Sequence, residues 1–188
     1  MNAAVRGTYR EADGARVDAQ LARRAWAEAA RPVLEELAGT YNATISYSHL
    51  ADKVQAKTGI RTTQLVWYWI GEVLFQVAQG CAQRGDPLLT SLVIRADGTI
   101  GDGYRKALVI MGYPDADDIE MAAAEERLRC YEHFGAELPA SGGRPQLPEK
   151  VRRARASRAR SGRSVRAERF CPSCHLLLPA TGRCDGCD

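Results

Sequence analysis

The chain has 188 residues, 45% hydrophobic and 26% charged, a globular composition with room for one main domain and a small appendage. No apolar run approaches the ~18 residues of a membrane span. The first residues, MNAAVRGTYREADGARVDAQ, lack the apolar core of a secretory signal, which predicts a cytoplasmic protein. The net charge of +3 conceals an asymmetry: residues 1–138 carry 15 Lys/Arg against 19 Asp/Glu, residues 139–169 carry 10 against 2, and residues 170–188 carry 1 against 2.

Residues 1–16 mix charge, Gly and Ala and read as a flexible N-terminus. From Val17 to Gly39, Leu21, Ala25, Trp26, Ala29, Val33, Leu34 and Leu37 recur at three- and four-residue steps. That spacing predicts an amphipathic helix, with Pro32 a break or kink and Gly39 a stop. Thr44–Tyr47 reads as a short strand, and Ser48 as the cap of a helix running to Lys57 and ended by Gly59. Thr62 or Thr63 would open a second helix whose buried stripe is Leu65, Trp69, Val73 and Val77, stopping near Gly85. LTSLVIRADGTIGDGY then reads as a strand, a turn and a weaker returning strand. Lys106–Met111 suggests a short helix. Asp115, Asp117 and Asp118 suit the start of another, with Ile119, Ala122, Ala123, Leu128 and Tyr131 as its apolar face and Gly135 as its end. The acid pairs Asp117/Asp118 and Glu125/Glu126 read as solvated helix surface.

Residues 139–169 contain almost no large apolar side chains and read as a basic linker, disordered or conditionally helical. Laid along a phosphate backbone, its Arg152, Arg153, Arg155, Arg158 and Arg160 would release counterions and give salt-sensitive, sequence-independent affinity. A solvated linker kept only for solubility is the plainer alternative. The segment has no apolar face to insert into a membrane.

Residues 170–188 hold two CxxC pairs, Cys171/Cys174 and Cys184/Cys187. Four thiolates satisfy tetrahedral zinc, and so small a segment needs a crosslink to hold a shape. A structural zinc ribbon or knuckle binding one Zn²⁺ is therefore expected, ahead of a redox pair or free thiols. Cys81 and Cys130 sit at helical positions and read as packing residues.

Strand, helix, turn, longer helix and ribbon is the element order of a winged helix-turn-helix, which presents the start of its second helix to a groove of DNA. The expected fold is mainly α with a small β-hairpin: a helical, winged-helix domain over 17–138, the linker over 139–169 and the zinc module over 170–188. Arg61, Thr62, Thr63, Gln64 and Tyr68 would occupy the exposed start of the second helix, Lys57 the turn before it, and Arg95 and Thr99 the ribbon tip.

The run Thr44-Ile-Ser-Tyr-Ser-His-Leu-Ala51 resembles the T-x-S-Y-x-x-L-A signature in the DNA-binding domain of O6-alkylguanine-DNA alkyltransferases and alkyltransferase-like proteins. Gly71, Pro87, Gly98, Gly101-Asp-Gly103-Tyr104, Lys106 and Leu108 extend the resemblance over residues 30–112. It implies DNA binding, with Tyr47 at the phosphate-contacting tyrosine and Tyr68 at the base-extruding arginine. The family's P-C-H-R is replaced by Pro87-Leu88-Leu89-Thr90, so the nucleophilic cysteine and its histidine are both missing and alkyl transfer is not expected. In overall pattern the chain also resembles small actinobacterial proteins linked to mobile elements and restriction systems.

No HExxH, phosphate-binding glycine loop or His-Asn-His pattern is present. The sequence thus points to a non-catalytic binder of duplex DNA, acting as a regulator or a mobile-element or defence factor and nucleoid-associated within the cytoplasm. The competing class is a protein-interaction adaptor whose zinc module docks on a partner enzyme. A nucleic-acid enzyme with an unrecognised site stands third.

Overall fold

The computed structural model describes residues 6–113, 116–163 and 187. The chain divides into two compact units, Met1–Val151 and Arg152–Asp188. In chain order the elements are β1 (Thr8–Arg10), α1 (Ala19–Ala38), β2 (Ile45–Ser46), α2 (Tyr47–Thr58), β3 (Ile60–Thr62), α3 (Ile70–Arg84), β4 (Val93–Ile94), α4 (Tyr104–Ile110), α5 (Ile119–His133) and α6 (Glu149–Arg163). Short 3₁₀ turns occupy Val66–Tyr68 and Leu89–Leu92. The first unit is an α+β fold dominated by helix. No helix among the described residues is long and apolar enough to cross a membrane.

Asp18 begins α1 by accepting hydrogen bonds from the backbone N–H groups of Gln20 and Leu21, which would otherwise go unsatisfied. The helix runs through Pro32 and ends at Gly39. Its buried stripe of Ala22, Trp26, Ala30 and Leu34 packs on α2 and α3, whose contributions include Leu50, Val54, Trp69 and Val73. At the centre the Trp26 and Trp69 rings lie 4.3 Å apart, tilted by 41°. The Trp26 indole N–H donates to Ile60 O at 3.1 Å, fastening α1 to β3. Capping of α2 falls two residues earlier than the sequence suggests: Ser46, rather than Ser48, accepts from His49 N. Gly59 closes that helix in the left-handed conformation, φ 64°.

Two expectations need correction at the strands. Residues 1–16 were expected to be flexible, yet β1 pairs antiparallel with β3, Thr8 opposite Thr62 and Arg10 opposite Ile60. The partner strand lies more than fifty positions away, and local composition carries no signal for such pairing. The second helix was expected from Thr62 or Thr63 and instead begins at Ile70. Thr62 is held in β3, its N–H donated to Gln55 Oε1 at 2.9 Å and its hydroxyl 3.2 Å from that of Thr8.

The two predicted strands on either side of α2 and α3 find each other. β2 and β4 run parallel, Ile45 opposite Val93 and Ser46 opposite Ile94. The returning strand is reduced to one bridge, Ile94 to Ile100, around a turn in which Arg95 N donates to Thr99 O and Gly98 N to Arg95 O.

Helix α5 starts from Asp118, whose carboxylate caps Glu120 and Met121. Its buried face differs from the one expected. Ala122 and Leu128 are half-buried, whereas Glu126 and Arg127 are enclosed, so only Glu125 of the Glu125/Glu126 pair is solvated. Both enclosed charges serve the loop after α3. Glu126 Oε2 accepts from Leu88 N at 3.0 Å while its other oxygen pairs with Arg129. Arg127 donates to Ser91 O at 3.0 Å. Backbone groups of a buried loop must find partners, and these side chains supply them. Glu126→Ala is accordingly expected to cost roughly 3 kcal/mol in a denaturant melt, with Glu126→Gln losing clearly less, because only alanine strips the acceptor from a buried N–H.

The expected domain boundary at residue 138 also shifts. Tyr41 Oη accepts from Arg144 N at 3.1 Å and from the Gln146 side chain at 3.3 Å, and Val151 is buried. The first unit therefore extends through the beginning of the presumed linker, to Val151. Beyond it α6 continues through the arginine-rich run. Low apolar content suggested a disordered or conditionally helical segment. Arginine and alanine are, however, strong helix formers, and Glu149 suits the positive end of the helix.

Candidate nucleic-acid interface

A groove of about 860 Å³ opens between the start of α2, the lead-in and first turns of α3, and the segment from Arg95 to Ala107. Tyr47 is half-buried in its wall. Gly101 makes that placement possible: a Cβ there would overlap the Tyr47 hydroxyl, so the Ile100–Gly103 turn lies against the phenol only as glycine. Burial pushes the Tyr47 phenol up, opposed by the nearby Arg95, so its hydroxyl stays protonated. On the inner side, Thr90 is 5% exposed and its hydroxyl has no hydrogen-bond partner among the described residues.

The outer rim is aromatic. Trp67 and Tyr68 lie in the 3₁₀ turn before α3, with 69% and 68% of their surfaces exposed and ring centroids 5.9 Å apart. Leu65 beside them is also exposed. Burying such surface is favourable, and exposed aromatics grouped at a groove are unusual for a surface that meets only water. Charge around the groove is balanced. Arg95 pairs with Asp102 at 2.6 Å, and exposed Lys106 is offset by exposed Glu72. Electrostatic attraction for a polyanion would have to come mainly from elsewhere in the chain.

The structure brings together only part of the contact set expected from sequence. Tyr47 and Arg95 line the groove, and Tyr68 stands next to Trp67 at its edge. Arg61 and Thr62 belong instead to the β1–β3 ribbon, and Thr63 directly follows it. Arg61 pairs with Glu11 at 3.1 Å, and the Thr63 hydroxyl accepts from Gly7 N. Gln64 is exposed just beyond, and Lys57 is exposed in the last turn of α2. None of these five presents the start of a helix, because α3 begins six residues after Gln64. Arg152, Arg153, Arg155, Arg158 and Arg160 are exposed on α6. Of the expected zinc ligands, Cys171, Cys174 and Cys184 lie outside the described residues, and Cys187 is exposed.

Trp67 was missed. A signal existed, since it falls off the expected stripe of Leu65, Trp69, Val73 and Val77, of which the structure buries Trp69, Val73 and Val77 but leaves Leu65 exposed, and an aromatic on the wrong face asks for a use. No protein family, characterised protein or solved structure matches this chain.

Cys81 and Cys130 are both fully buried. Burial pushes the Cys81 thiol up, and it pushes Cys130 up to about 12 despite its contact with Ser91. Both remain neutral thiols at physiological pH, and neither lines the groove.

Proposed function

We propose that the protein binds DNA without catalysing a reaction on it, through the groove rim of the first unit and the arginines of α6. The observation that carries this reading is the Trp67–Tyr68 pair, exposed at the mouth of a groove that also holds Tyr47 and Arg95. Four residues that carry the resemblance to the alkyltransferase DNA-binding domain, Tyr47, Gly71, Gly101 and Tyr104, all line that groove. In this reading α2 and α3 are the helix pair of a winged helix-turn-helix, and the Arg95–Thr99 turn is a shortened wing. The contact surface moves from Arg61–Gln64 to the aromatic lead-in of α3. Trp67 and Tyr68 stack on or wedge beside a base, and the groove accommodates one leaving the stack.

The arginines supply the affinity that the balanced groove lacks. Cys171, Cys174, Cys184 and Cys187 would hold one structural Zn²⁺, making a second contact module whose tethering adds avidity. The protein would act in the cytoplasm, on the nucleoid, as a regulator or a mobile-element or defence factor. The acidic balance of residues 1–138 favours the second reading, an adaptor whose zinc module docks on an enzyme.

Titration of a fluorescent ~20-bp duplex tests the proposal. Binding at low ionic strength should weaken steeply with salt, and the intact mass of the chain should be unchanged after incubation with duplex containing an O6-alkylguanine. Indifference to duplex at low ionic strength would overturn it in favour of the adaptor, and a mass gain would overturn the non-catalytic part.

A further inference from the structure

One polar group at the groove serves no purpose within the chain's own fold. Thr90 lines the groove and is buried, yet its Oγ1 has no hydrogen-bond partner among the described residues. Thr58, Thr62 and Thr99 are less enclosed, and each of their hydroxyls is partnered. Ser91, next in the same 3₁₀ turn, has its Oγ 3.8 Å from Cys130 Sγ. A buried hydroxyl left unpaired costs stability, and valine would fill the same space without that cost. The Tyr104 hydroxyl is also unpaired at this groove, but its charged and polar neighbours are Glu126, Arg127 and Cys130, which set it on the α5 side. Around Thr90 the groove carries little net charge, since Arg95 is held by Asp102 and Lys106 is offset by Glu72, and Trp67 stands at its mouth. Those surroundings suit a flat, uncharged ring with a hydrogen-bonding edge better than a phosphate.

We propose that Thr90 is a specificity-determining residue of the groove, its hydroxyl bonding the polar edge of a base that has left the stack. This rests on the DNA-binding reading and deepens it by naming what the groove reads. The Thr90 oxygen is closed to water, so it meets the base by a turn about χ1, which exchanges the places of hydroxyl and methyl. Selectivity follows from what each occupant loses and regains. A polar edge gives up its own water on entry and recovers a partner from Thr90. An apolar edge of the same shape gives up little and leaves the hydroxyl unpaired.

The test uses the full chain and two fluorescent duplexes. One carries a thymine–thymine mismatch, and the other has difluorotoluene, the nonpolar isostere of thymine, in place of one mismatched base. Thr90→Val should lower the ratio of thymine to isostere affinity roughly twofold to tenfold below wild type. Thr90→Ser, which keeps the hydroxyl, should keep the wild-type ratio. The two bases differ in how readily they unstack, but that difference is common to all three proteins and cancels in the comparison. Without DNA, the melting temperature of Thr90→Val should equal or exceed that of wild type, because no bond is lost from the fold. A merely structural hydroxyl predicts the reverse, a lower melting temperature with an unchanged ratio, and either result overturns the proposal. A wild-type chain that ignores both duplexes overturns the reading of function as well. Binding with the same ratio in wild type and Thr90→Val overturns the role of Thr90 alone.

Discussion

Replacing Arg152, Arg153, Arg155, Arg158 and Arg160 together by glutamine is expected to lower duplex affinity roughly a hundredfold or more at ~0.1 M salt and to reduce the salt slope by about four to five units. In the groove Arg95 is paired with Asp102 and Lys106 is offset by Glu72, so little net positive charge faces a ligand there. Residues 1–138 are acidic on balance. Attraction for a polyanion therefore has to reside in the arginine run. Each phosphate neutralised contributes a slope of about 0.9, and five lost contacts account for the change. Glutamine is nearly as good a helix former as arginine, so circular dichroism should show α6 retained, leaving charge as the variable. Lysine at the same five positions should preserve the slope. An affinity that ignores the glutamine substitutions would mean that the arginines serve solubility alone, and weight would pass to the adaptor.

The sequence made the helices legible where their signals are local. The three- and four-residue recurrence through Trp26 and Leu34, and the glycines at 39, 59, 85 and 135, place α1, the ends of α2 and α3, and the end of α5 within a residue or two. Errors arise where a distant partner overrides a local preference. Thr62 and Thr63 look like helix caps, but their groups are taken by Thr8, Gln55 and Gly7, whose approach depends on tertiary structure. Glu126 looks solvated beside Glu125, and it is enclosed because the loop at Leu88 needs an acceptor from outside itself. The same holds for Val151, one valine among arginines, which acquires meaning only when Gly98 is seen opposite it. For the site, Tyr47 and Arg95 were legible through pattern and resemblance, and the groove brings them together. Trp67 was not, because a helix drawn from Thr62 gave its exposed ring no particular place. The real chain interposes a strand and a 3₁₀ turn, which lift residues 65–68 out of the helix and turn Trp67 and Tyr68 to solvent.

Trp67→Ala combined with Tyr68→Ala is expected to weaken binding by roughly tenfold to a hundredfold, the range set by about 1–3 kcal/mol for each base stacked on an aromatic ring. The fold should tolerate the change. Both rings are more than two-thirds exposed, and the core beneath is built on the neighbouring Trp69 against Trp26. Melting temperature should stay close to wild type, which separates a lost contact from a lost fold. Salt dependence supplies the second discriminator. Stacking releases no counterions, so the slope should match the wild type, the opposite of the arginine substitutions. The ligand should matter as well. In a fully paired duplex an aromatic must first displace a stacked base, at an unstacking cost of a few kcal/mol, whereas a mismatch has met part of that cost in advance. Wild-type protein should therefore prefer duplex containing a mismatch, and the double variant should lose that preference along with its affinity. A variant that binds both ligands as the wild type does would remove the aromatic rim from the interface, and the groove behind it would then need an occupant other than DNA.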